Sequence, residues 1–374
     1  MKRLLCIVSS MDRGGAETFL MKVYRNLDRN KYQMDFCVSK EKKGFYDDEI
    51  KSMGGKIYFI PPKSKNPFKT FLQIKKIVKE NNYQYVLRTS QQSLATLDLL
   101  AAKFGGAKTL IYRSSNAGLT GGVKKRIING MFMFLPRMIP NVKVAPSKKA
   151  AEFVFGKKAV AKGKVHILNN GLDYDLFAYN EKIRKQIRKE LKLDDKIIIG
   201  HVGRFNEQKN HEFLIKIFKE IHEENQNTVL LLIGEGELED KIKKQVKNLG
   251  LSTSVKFLGP VAEVSIYLMA MDLFLFPSFF EGMPNVIIEA QATGLKCLLS
   301  SEITEEAKIT DLLTYIDLDS GVENWVNIAL QSFDYERKNY EKEFRVNKYT
   351  IEDVLNLFIS IVYDGGISEK EKKN

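Results

Sequence analysis

Short apolar runs alternate with amphipathic segments along the whole chain. The runs are rich in Val, Ile and Leu and predict buried strands, while the segments between them carry apolar residues three and four positions apart, as helices do. This strand–helix–strand order predicts parallel sheets covered by helices on both faces. In the first half, the predicted strands are 4–8, 33–38, 57–60, 85–87, 109–112, 142–145 and 165–168.

The second half repeats the same pattern. Its predicted strands are 197–202, 229–233, 255–258, 273–276 and 297–299. An α/β protein with two Rossmann-like sheets in series follows. A turn signal, Asn169-Asn170-Gly171, precedes a charged helix, so we expect an N-terminal domain over 1–175 and a C-terminal domain over 176–349.

Composition and charge indicate the class of protein and the kind of ligand it is expected to bind. With 44% hydrophobic and 28% charged residues, the chain of 374 residues is typical of a globular protein. Residues 1–170 hold 33 Lys and Arg against 11 Asp and Glu, whereas the rest holds 26 against 35. The first domain is therefore expected to bind something anionic: a membrane surface, a phosphorylated substrate or nucleic acid. The alternative is a solvated cationic face that only keeps the protein soluble.

Location and metal binding are constrained by what the sequence lacks. The three cysteines are far apart and form no CxxC pair, which argues against a disulfide framework or a zinc site. No apolar run is long enough to span a bilayer, and the start turns polar after Val8, so the chain is expected in the cytosol.

Candidate chemistry lies at the ends of predicted strands, where ligands bind in open α/β sheets. Gly14 and Gly15 follow the first strand and open a helix, so backbone N–H groups there can approach an anion. Gly203, Arg204 and Lys209 follow the strand 197–202. A guanidinium and an ammonium at one strand end can hold a diphosphate without a metal ion.

Two glutamates eight positions apart follow the strand 273–276. If a helix starts at Met283, Glu281 stands at its N-terminal end and Glu289 lies about 12 Å further along. One carboxylate can then reach a sugar ring and the other the ribose of a nucleotide. The first helical N–H groups, over 283–286, are expected to face phosphate or sugar oxygens.

These motifs resemble a known family. The E-x7-E pair within PSFFEG…EAQATG, together with GRFNEQKN, is similar to the family 4 retaining glycosyltransferases, especially those of capsule and exopolysaccharide assembly. Supporting matches are GGAE at 14–17, NNGLD at 169–173, LLIGEGELEDKI at 231–242 and VKFLGPVAEV at 255–264. The resemblance implies a GT-B fold, in which two Rossmann-like domains face each other across a cleft, with a last helix at about 350–364 that packs back on the first domain.

The resemblance also implies roles for individual residues. Arg204 and Lys209 would bind the donor diphosphate, Glu289 the ribose and Glu281 the transferred sugar, with Gly15 opposite the phosphates. The whole predicted donor site is Gly15, Gly203, Arg204, Lys209, Glu281, Gly282, Met283, Pro284, Asn285, Val286 and Glu289. The implied reaction is the metal-independent transfer of a hexose, with retention of configuration and no cofactor. The expected donor is a UDP-sugar, and the expected acceptor is a polyprenyl-diphosphate-linked glycan.

One departure from the family pattern concerns the first domain. Many relatives carry histidine in an H-S-H-N-like segment, and the matching stretch here is Arg113-Ser114-Ser115-Asn116. Ser115, which we include in the catalytic set with Arg204, Lys209 and Glu281, is a candidate to replace that histidine by hydrogen bonding. Asn116 and Arg113 are the other candidates.

Residues 123–139 mix cations with Met, Phe and Ile. This composition is typical of an interfacial helix, although a core helix packed on the sheet explains it equally well. We expect the chain to bind the inner face of the cell membrane peripherally through anionic lipids. The residues assigned to the acceptor and membrane side are Arg113, Asn116, Lys124, Lys125 and Arg126.

Motifs of other functions are incomplete or misplaced in this sequence. Gly234-Glu235-Gly236 lacks the third glycine of a dinucleotide fingerprint, because Glu239 stands there, which argues against a dehydrogenase. The DxD strings at 173–175 and 317–319 do not fit the expected cleft, so no essential metal is expected. Three alternatives remain open: a nucleotide-sugar epimerase, a hydrolytic or phosphorolytic relative, and a nucleic-acid-binding protein. The third is the least favoured and nucleic acid is not an expected partner, because the sequence shows no recognition module.

Overall fold

The computed structural model describes residues 1–12, 14–39, 42–115, 123–281 and 283–364. The chain forms two compact units. The first comprises residues 1–171 together with the chain from Ile351 onward, and the second comprises Leu172–Thr350. The structure thus divides the chain after residue 171, where the sequence analysis drew the boundary after residue 175.

The first unit contains a parallel sheet of seven strands in the order β3-β2-β1-β4-β5-β6-β7. Its strands are β1 (Lys2–Val8), β2 (Tyr32–Val38), β3 (Ile57–Phe59), β4 (Tyr85–Ser90), β5 (Thr109–Ser114), β6 (Val142–Ala145) and β7 (His166–Ile167). Its helices are α1 (Gly15–Asn26), α2 (Asp47–Ser52), α3 (Pro67–Glu80), α4 (Leu97–Phe104), α5 (Val123–Met131), α6 (Leu135–Met138), α7 (Lys148–Phe155), α8 (Lys157–Ala161) and, numbered in chain order, α17 (Ile351–Tyr363).

Apolar cores lie on both faces of this first sheet. Helix α17 belongs to one of them, because its apolar side chains recur three and four residues apart and are buried there. Its Phe358 ring lies 6.3 Å from the ring of Phe19 on α1. Burial of each such side chain contributes about 1.5–3 kcal/mol of free energy. This burial stabilises the packing of the C-terminal helix on the first unit, although the rest of that unit ends at residue 171.

The second unit contains a parallel sheet of six strands in the order β10-β9-β8-β11-β12-β13. Its strands are β8 (Ile197–Val202), β9 (Thr228–Ile233), β10 (Val255–Gly259), β11 (Leu273–Phe276), β12 (Cys297–Ser300) and β13 (Leu313–Ile316). Its helices are α9 (Tyr174–Phe177), α10 (Glu181–Leu191), α11 (His211–Glu224), α12 (Glu239–Asn248), α13 (Val264–Ala270), α14 (Asn285–Ala292), α15 (Gly321–Leu330) and α16 (Glu341–Val346).

The predicted α/β class with two Rossmann-like parallel sheets is confirmed. The elements that were not predicted from the sequence include one strand, β13, and the helices α2, α7, α8, α9, α15 and α16. The Asp317-Leu318-Asp319 string is a local cap between two of them, since the Asp317 carboxylate accepts a hydrogen bond from the backbone N–H of Asp319 at 2.8 Å. Among the described residues, no helix combines the length and the apolar character needed to cross a bilayer.

Candidate active site

Two loops of the second unit bring the predicted donor residues together. They follow β8 and β11, which are hydrogen-bonded neighbours in the sheet. Because parallel strands end at the same edge, the loops after them meet there. Two hydrogen bonds join the loops: the Gln208 side chain donates to the carbonyl of Phe280 at 2.8 Å, and the N–H of Phe279 donates to the carbonyl of Gln208 at 2.9 Å.

An ion pair between Lys209 and Glu281 lies at this junction. Lys209 Nζ is 2.7 Å from Glu281 Oε1, and the two side chains are 15% and 10% exposed. The ammonium also lies 4.3 Å from the centroid of the Phe276 ring, in cation–π contact. Lys209 and Glu281, two of the four residues predicted to be catalytic, therefore touch although they are 72 positions apart.

Glycines leave room for the lysine side chain. A Cβ on Gly203 would lie 3.1 Å from both Cδ and Cε of Lys209, so the lysine stem passes directly over this residue. Gly234 packs against the backbone of Gly203. Its φ is +139°, and a Cβ added there would lie 2.1 Å from the Gly203 carbonyl oxygen, so this position requires glycine. The segment Gly234-Glu235-Gly236 therefore has a structural role next to the site, in place of the dinucleotide-binding role considered above.

Two buried histidines lie beneath Lys209. The His201 and His211 rings are 4.7 Å apart, and His201 Nδ1 donates to the carbonyl of Leu275 at 2.8 Å. Burial, and then the charge of Lys209, lowers the pKa of His211 to about 4; burial also holds the pKa of His201 well below its usual value. Both rings are therefore neutral at pH 7, so Lys209 is the cation at this point of the loop.

Arg204 lies on the same loop but is not part of this ion pair. Its side chain is exposed and makes no hydrogen bond or ion pair with any described residue. A guanidinium in this position can reach a ligand without first breaking a contact within the protein. The loop thus offers one cation that is paired, Lys209, and one that is not.

The helix after Glu281 starts later than expected. Pro284 is the N-cap of α14, and the helix begins at Asn285 rather than at Met283. Proline restricts the residue before it to extended conformations, which places Met283 outside the helix. Glu281 consequently stands four residues before the helix, and Val286 and the half-buried Glu289 lie in its first two turns.

The first unit places its predicted residues differently. Gly15 is the exposed first residue of α1, and Ser115 is half-buried directly after β5. Arg113 was predicted to lie on the acceptor and membrane side, but it is only 2% exposed, so its side chain is not part of an exposed membrane-facing surface. Its neighbours explain this burial, since it packs over the Phe19 ring.

Several predicted residues cannot be placed at the level of side chains. Gly282 and Asn116 lie outside the described residues. Lys124 and Lys125 belong to α5 by their backbone, while their side chains are not described; Arg126 on the same helix is exposed.

The supporting residues of the site were not predicted from the sequence. These are Gln208, which joins the two loops, Phe276 beneath the ammonium, and the two histidines. A signal was present: both histidines flank the loop 203–210, one on the strand before it and one at the start of the helix after it. Histidines in an otherwise apolar strand and helix start indicate a polar layer under a loop.

Comparison with known proteins identifies the family. The family described as "Glycosyl transferases group 1" matches residues 182–309, and "Glycosyltransferase Family 4" matches residues 13–176. EpsF of Bacillus subtilis (strain 168), a protein named as a glycosyltransferase, is 32% identical over 329 residues, which cover 87% of this chain and 86% of EpsF. The chain belongs to the glycosyltransferases.

Two further comparisons add detail to this glycosyltransferase. An Escherichia coli relative named UDP-Gal:alpha-D-GlcNAc-diphosphoundecaprenol alpha-1,3-galactosyltransferase is 25% identical over 271 residues, covering 69% of this chain and 68% of the relative. The crystal structure of HepE from Anabaena in complex with UDP and glucose superposes with a TM-score of 0.78 at 16% identity, covering 96% of this chain and 99% of HepE. The glycosyltransferase has the GT-B fold, and the relatives do not favour the epimerase alternative.

Proposed function

We propose that this glycosyltransferase moves a hexose from a UDP-sugar to a polyprenyl-diphosphate-linked glycan, with retention of configuration and without a metal ion or cofactor, in the assembly of a capsule or exopolysaccharide. The names of two similar proteins support the substrates: one uses UDP-Gal and a diphosphoundecaprenol-linked sugar, and the other binds UDP and glucose. The observation that carries the proposal is the contact between Lys209 and Glu281.

The ion pair has the properties that a donor site needs. A bound diphosphate brings negative charge that competes with Glu281 for Lys209, and the exposed Arg204 can take the second phosphate as a bidentate partner. Glu281, once released, becomes a hydrogen-bond acceptor for sugar hydroxyls. The N-terminal end of α14 adds a favourable partial charge for the same anion.

The chemistry requires stabilisation of a leaving group. In transfer, the bond between the sugar C1 and the diphosphate oxygen breaks, and a bond from C1 to an acceptor hydroxyl oxygen forms on the same face of the sugar. The proton of that hydroxyl passes to an oxygen of the departing diphosphate. Negative charge grows on the departing diphosphate, and Lys209 and Arg204 stabilise that charge in place of a metal ion. The histidines below Lys209 are neutral, so Lys209 and Arg204 carry the positive charge of this loop.

A transfer assay tests this function. The full chain is incubated in EDTA with a panel of UDP-sugars and a polyprenyl-diphosphate-linked sugar, and products are separated by chromatography. We expect an elongated lipid-linked product with one UDP-sugar, and NMR of the new linkage to show the anomeric configuration of the donor. Isomerised donor without acceptor would indicate an epimerase instead, and release of free sugar alone would indicate a hydrolase.

We also propose that α5 and α6 dock on the anionic inner face of the cell membrane. Arg126 on α5 and Arg137 on α6 are exposed beside a set of apolar residues. The exposed apolar residues are Ile127 at 56%, Ile128 at 43%, Met131 at 67%, Phe134 at 48% and Met138 at 76%. Apolar side chains that face outward next to arginines support an interfacial helix over the core helix that the sequence left open.

Flotation with liposomes tests the docking. The protein is expected to float with vesicles that contain about a third anionic lipid at low salt, and to be released partly at high salt. A Met131→Ser, Met138→Ser double variant should float less at both salt concentrations. Absence of binding at low salt would contradict the docking proposal and leave the transfer assay unaffected.

A further inference from the structure

Arg113 is a buried cation in the first unit without a buried anion to match. It stands near the carboxyl end of β5, is 2% exposed, and has no described carboxylate within ion-pair distance. Burial alone lowers the pKa of its guanidinium to about 9, which leaves it protonated at neutral pH. The chain therefore keeps a full positive charge inside the first unit.

The contacts of Arg113 use only part of its hydrogen-bonding capacity. Its guanidinium carbon lies 3.8 Å from the centroid of the Phe19 ring, and Nη2 donates to the Asn170 side-chain oxygen at 2.6 Å. Its buried Nε has no hydrogen-bond partner. An arginine offers five N–H donors, so this side chain remains under-satisfied.

A second unsatisfied group lies beside it. Thr89 on β4 is the register partner of Arg113 on β5, so the two side chains leave the sheet on the same face. The Thr89 hydroxyl is buried and also has no hydrogen-bond partner. Buried polar groups are nearly always paired in native proteins, and two unpaired donors side by side indicate that something else pairs with them.

Other buried arginines of this chain show the usual arrangement. Arg88, one residue from Thr89, lies 2.9 Å from the carboxylate of Asp98, and Arg188 in the second unit lies 3.0 Å from that of Asp272. Each of these two arginines thus has a carboxylate partner within the protein. Arg113 departs from this pattern at the sheet edge where ligands bind in α/β proteins.

We propose that Arg113 and Thr89 form a binding site for a phosphate group of a substrate. A phosphate oxygen supplies the charge and the acceptors that both side chains lack, and a guanidinium binds it in a bidentate manner. The first turn of α1, one helical turn before Phe19, contributes N–H groups and a partial positive charge at the same end of the sheet. This inference rests on the proposed function only for the source of the phosphate, which is either the diphosphate of the lipid-linked acceptor or that of the donor.

Thermal unfolding with inorganic pyrophosphate tests the site directly. The measurements are made in an Arg204→Ala, Lys209→Ala background, so that neither cation of the donor loop of the second unit contributes. We expect pyrophosphate to raise the midpoint of unfolding, and Arg113→Met to abolish this rise. The matched control is Arg25→Met, which removes an exposed arginine of the same unit that is paired with Glu49 and should keep the full rise.

The stability of the free protein gives a second readout. Because Arg113→Met removes an uncompensated buried charge and keeps the apolar stem, it should raise the unfolding midpoint without ligand by about 2–4 °C. Arg113→Lys keeps the charge without the planar fork and should leave a reduced pyrophosphate shift. If pyrophosphate raises the unfolding midpoint of Arg113→Met as much as that of the parent protein, the proposal is wrong. A lowered midpoint without ligand in the same variant would then show that Arg113 is a structural residue.

Two probes distinguish the source of the phosphate in the otherwise unaltered protein. If Arg113 binds the acceptor, Arg113→Met weakens binding of geranyl diphosphate and leaves UDP binding unchanged. If it binds the donor, UDP binding weakens instead. Either result supports the site, and no loss with either probe contradicts it. Failure of sugar transfer in the wild-type protein would refute the proposed function without altering the pyrophosphate result.

Discussion

Turnover is expected to fall by about 10²-fold or more when Lys209 is replaced by alanine. The reason is that Lys209 is a preorganised cation on the donor loop, held over Phe276 and next to Glu281. Its loss leaves the growing charge on the leaving diphosphate with Arg204 alone. The measurement is the initial rate of sugar transfer at saturating donor and acceptor.

Lys216→Ala is the matched control for this variant. Lys216 lies on α11, which follows the donor loop, and is exposed. Its replacement should leave the rate within about twofold, since an exposed lysine away from the site contributes little. A Lys209→Ala enzyme with turnover within a few-fold of wild type would show that the donor diphosphate is stabilised elsewhere.

The second large effect separates binding from catalysis at Glu281. We expect Glu281→Gln to lower turnover by about 10²-fold while it tightens the binding of UDP by about 3- to 10-fold, or about 0.7–1.4 kcal/mol. In the free protein Glu281 neutralises Lys209 at 2.7 Å, so a diphosphate must displace a carboxylate before it gains the ammonium. Glutamine removes that competition but no longer offers the sugar a charged acceptor.

The UDP affinity is measured by isothermal titration and the turnover by the transfer assay. Glu207→Gln serves as the control, because Glu207 is exposed on the same loop and lies outside the ion pair. It should change neither quantity by more than about twofold. Weaker UDP binding by the Glu281→Gln enzyme would contradict a competition between the diphosphate and Glu281.

Most of the fold could be predicted from the sequence because its central strands are continuous apolar runs. All seven strands of the first sheet and five of the six strands of the second were predicted, and β1, β9 and β11 show this signal most clearly. The sixth, β13, does not: it lies at the edge of the sheet, and its two central residues are only half-buried between two buried ones. Four residues with mixed burial are too few for periodicity to distinguish a strand from a loop.

The candidate site could be predicted only in part. The motifs name Lys209 and Glu281, but their contact depends on the adjacency of β8 and β11, which two other strands separate in the sequence. The burial of Arg113 was also beyond the sequence. The predicted strand ended at residue 112, and an arginine directly after it gives no indication that Phe19 and Asn170 will contact its side chain.

The central claim is that the loop after β8 and the start of α14 bind a diphosphate without a metal ion. Titration of UDP and of UMP into the wild-type and Lys209→Ala proteins in the presence of EDTA tests it most directly. We predict that the wild-type protein binds UDP at least about tenfold more tightly than UMP, and that Lys209→Ala removes most of this difference. Equal affinities for UDP and UMP in the wild-type protein, or a preference for UDP that emerges only when Mg²⁺ replaces EDTA, would contradict the account.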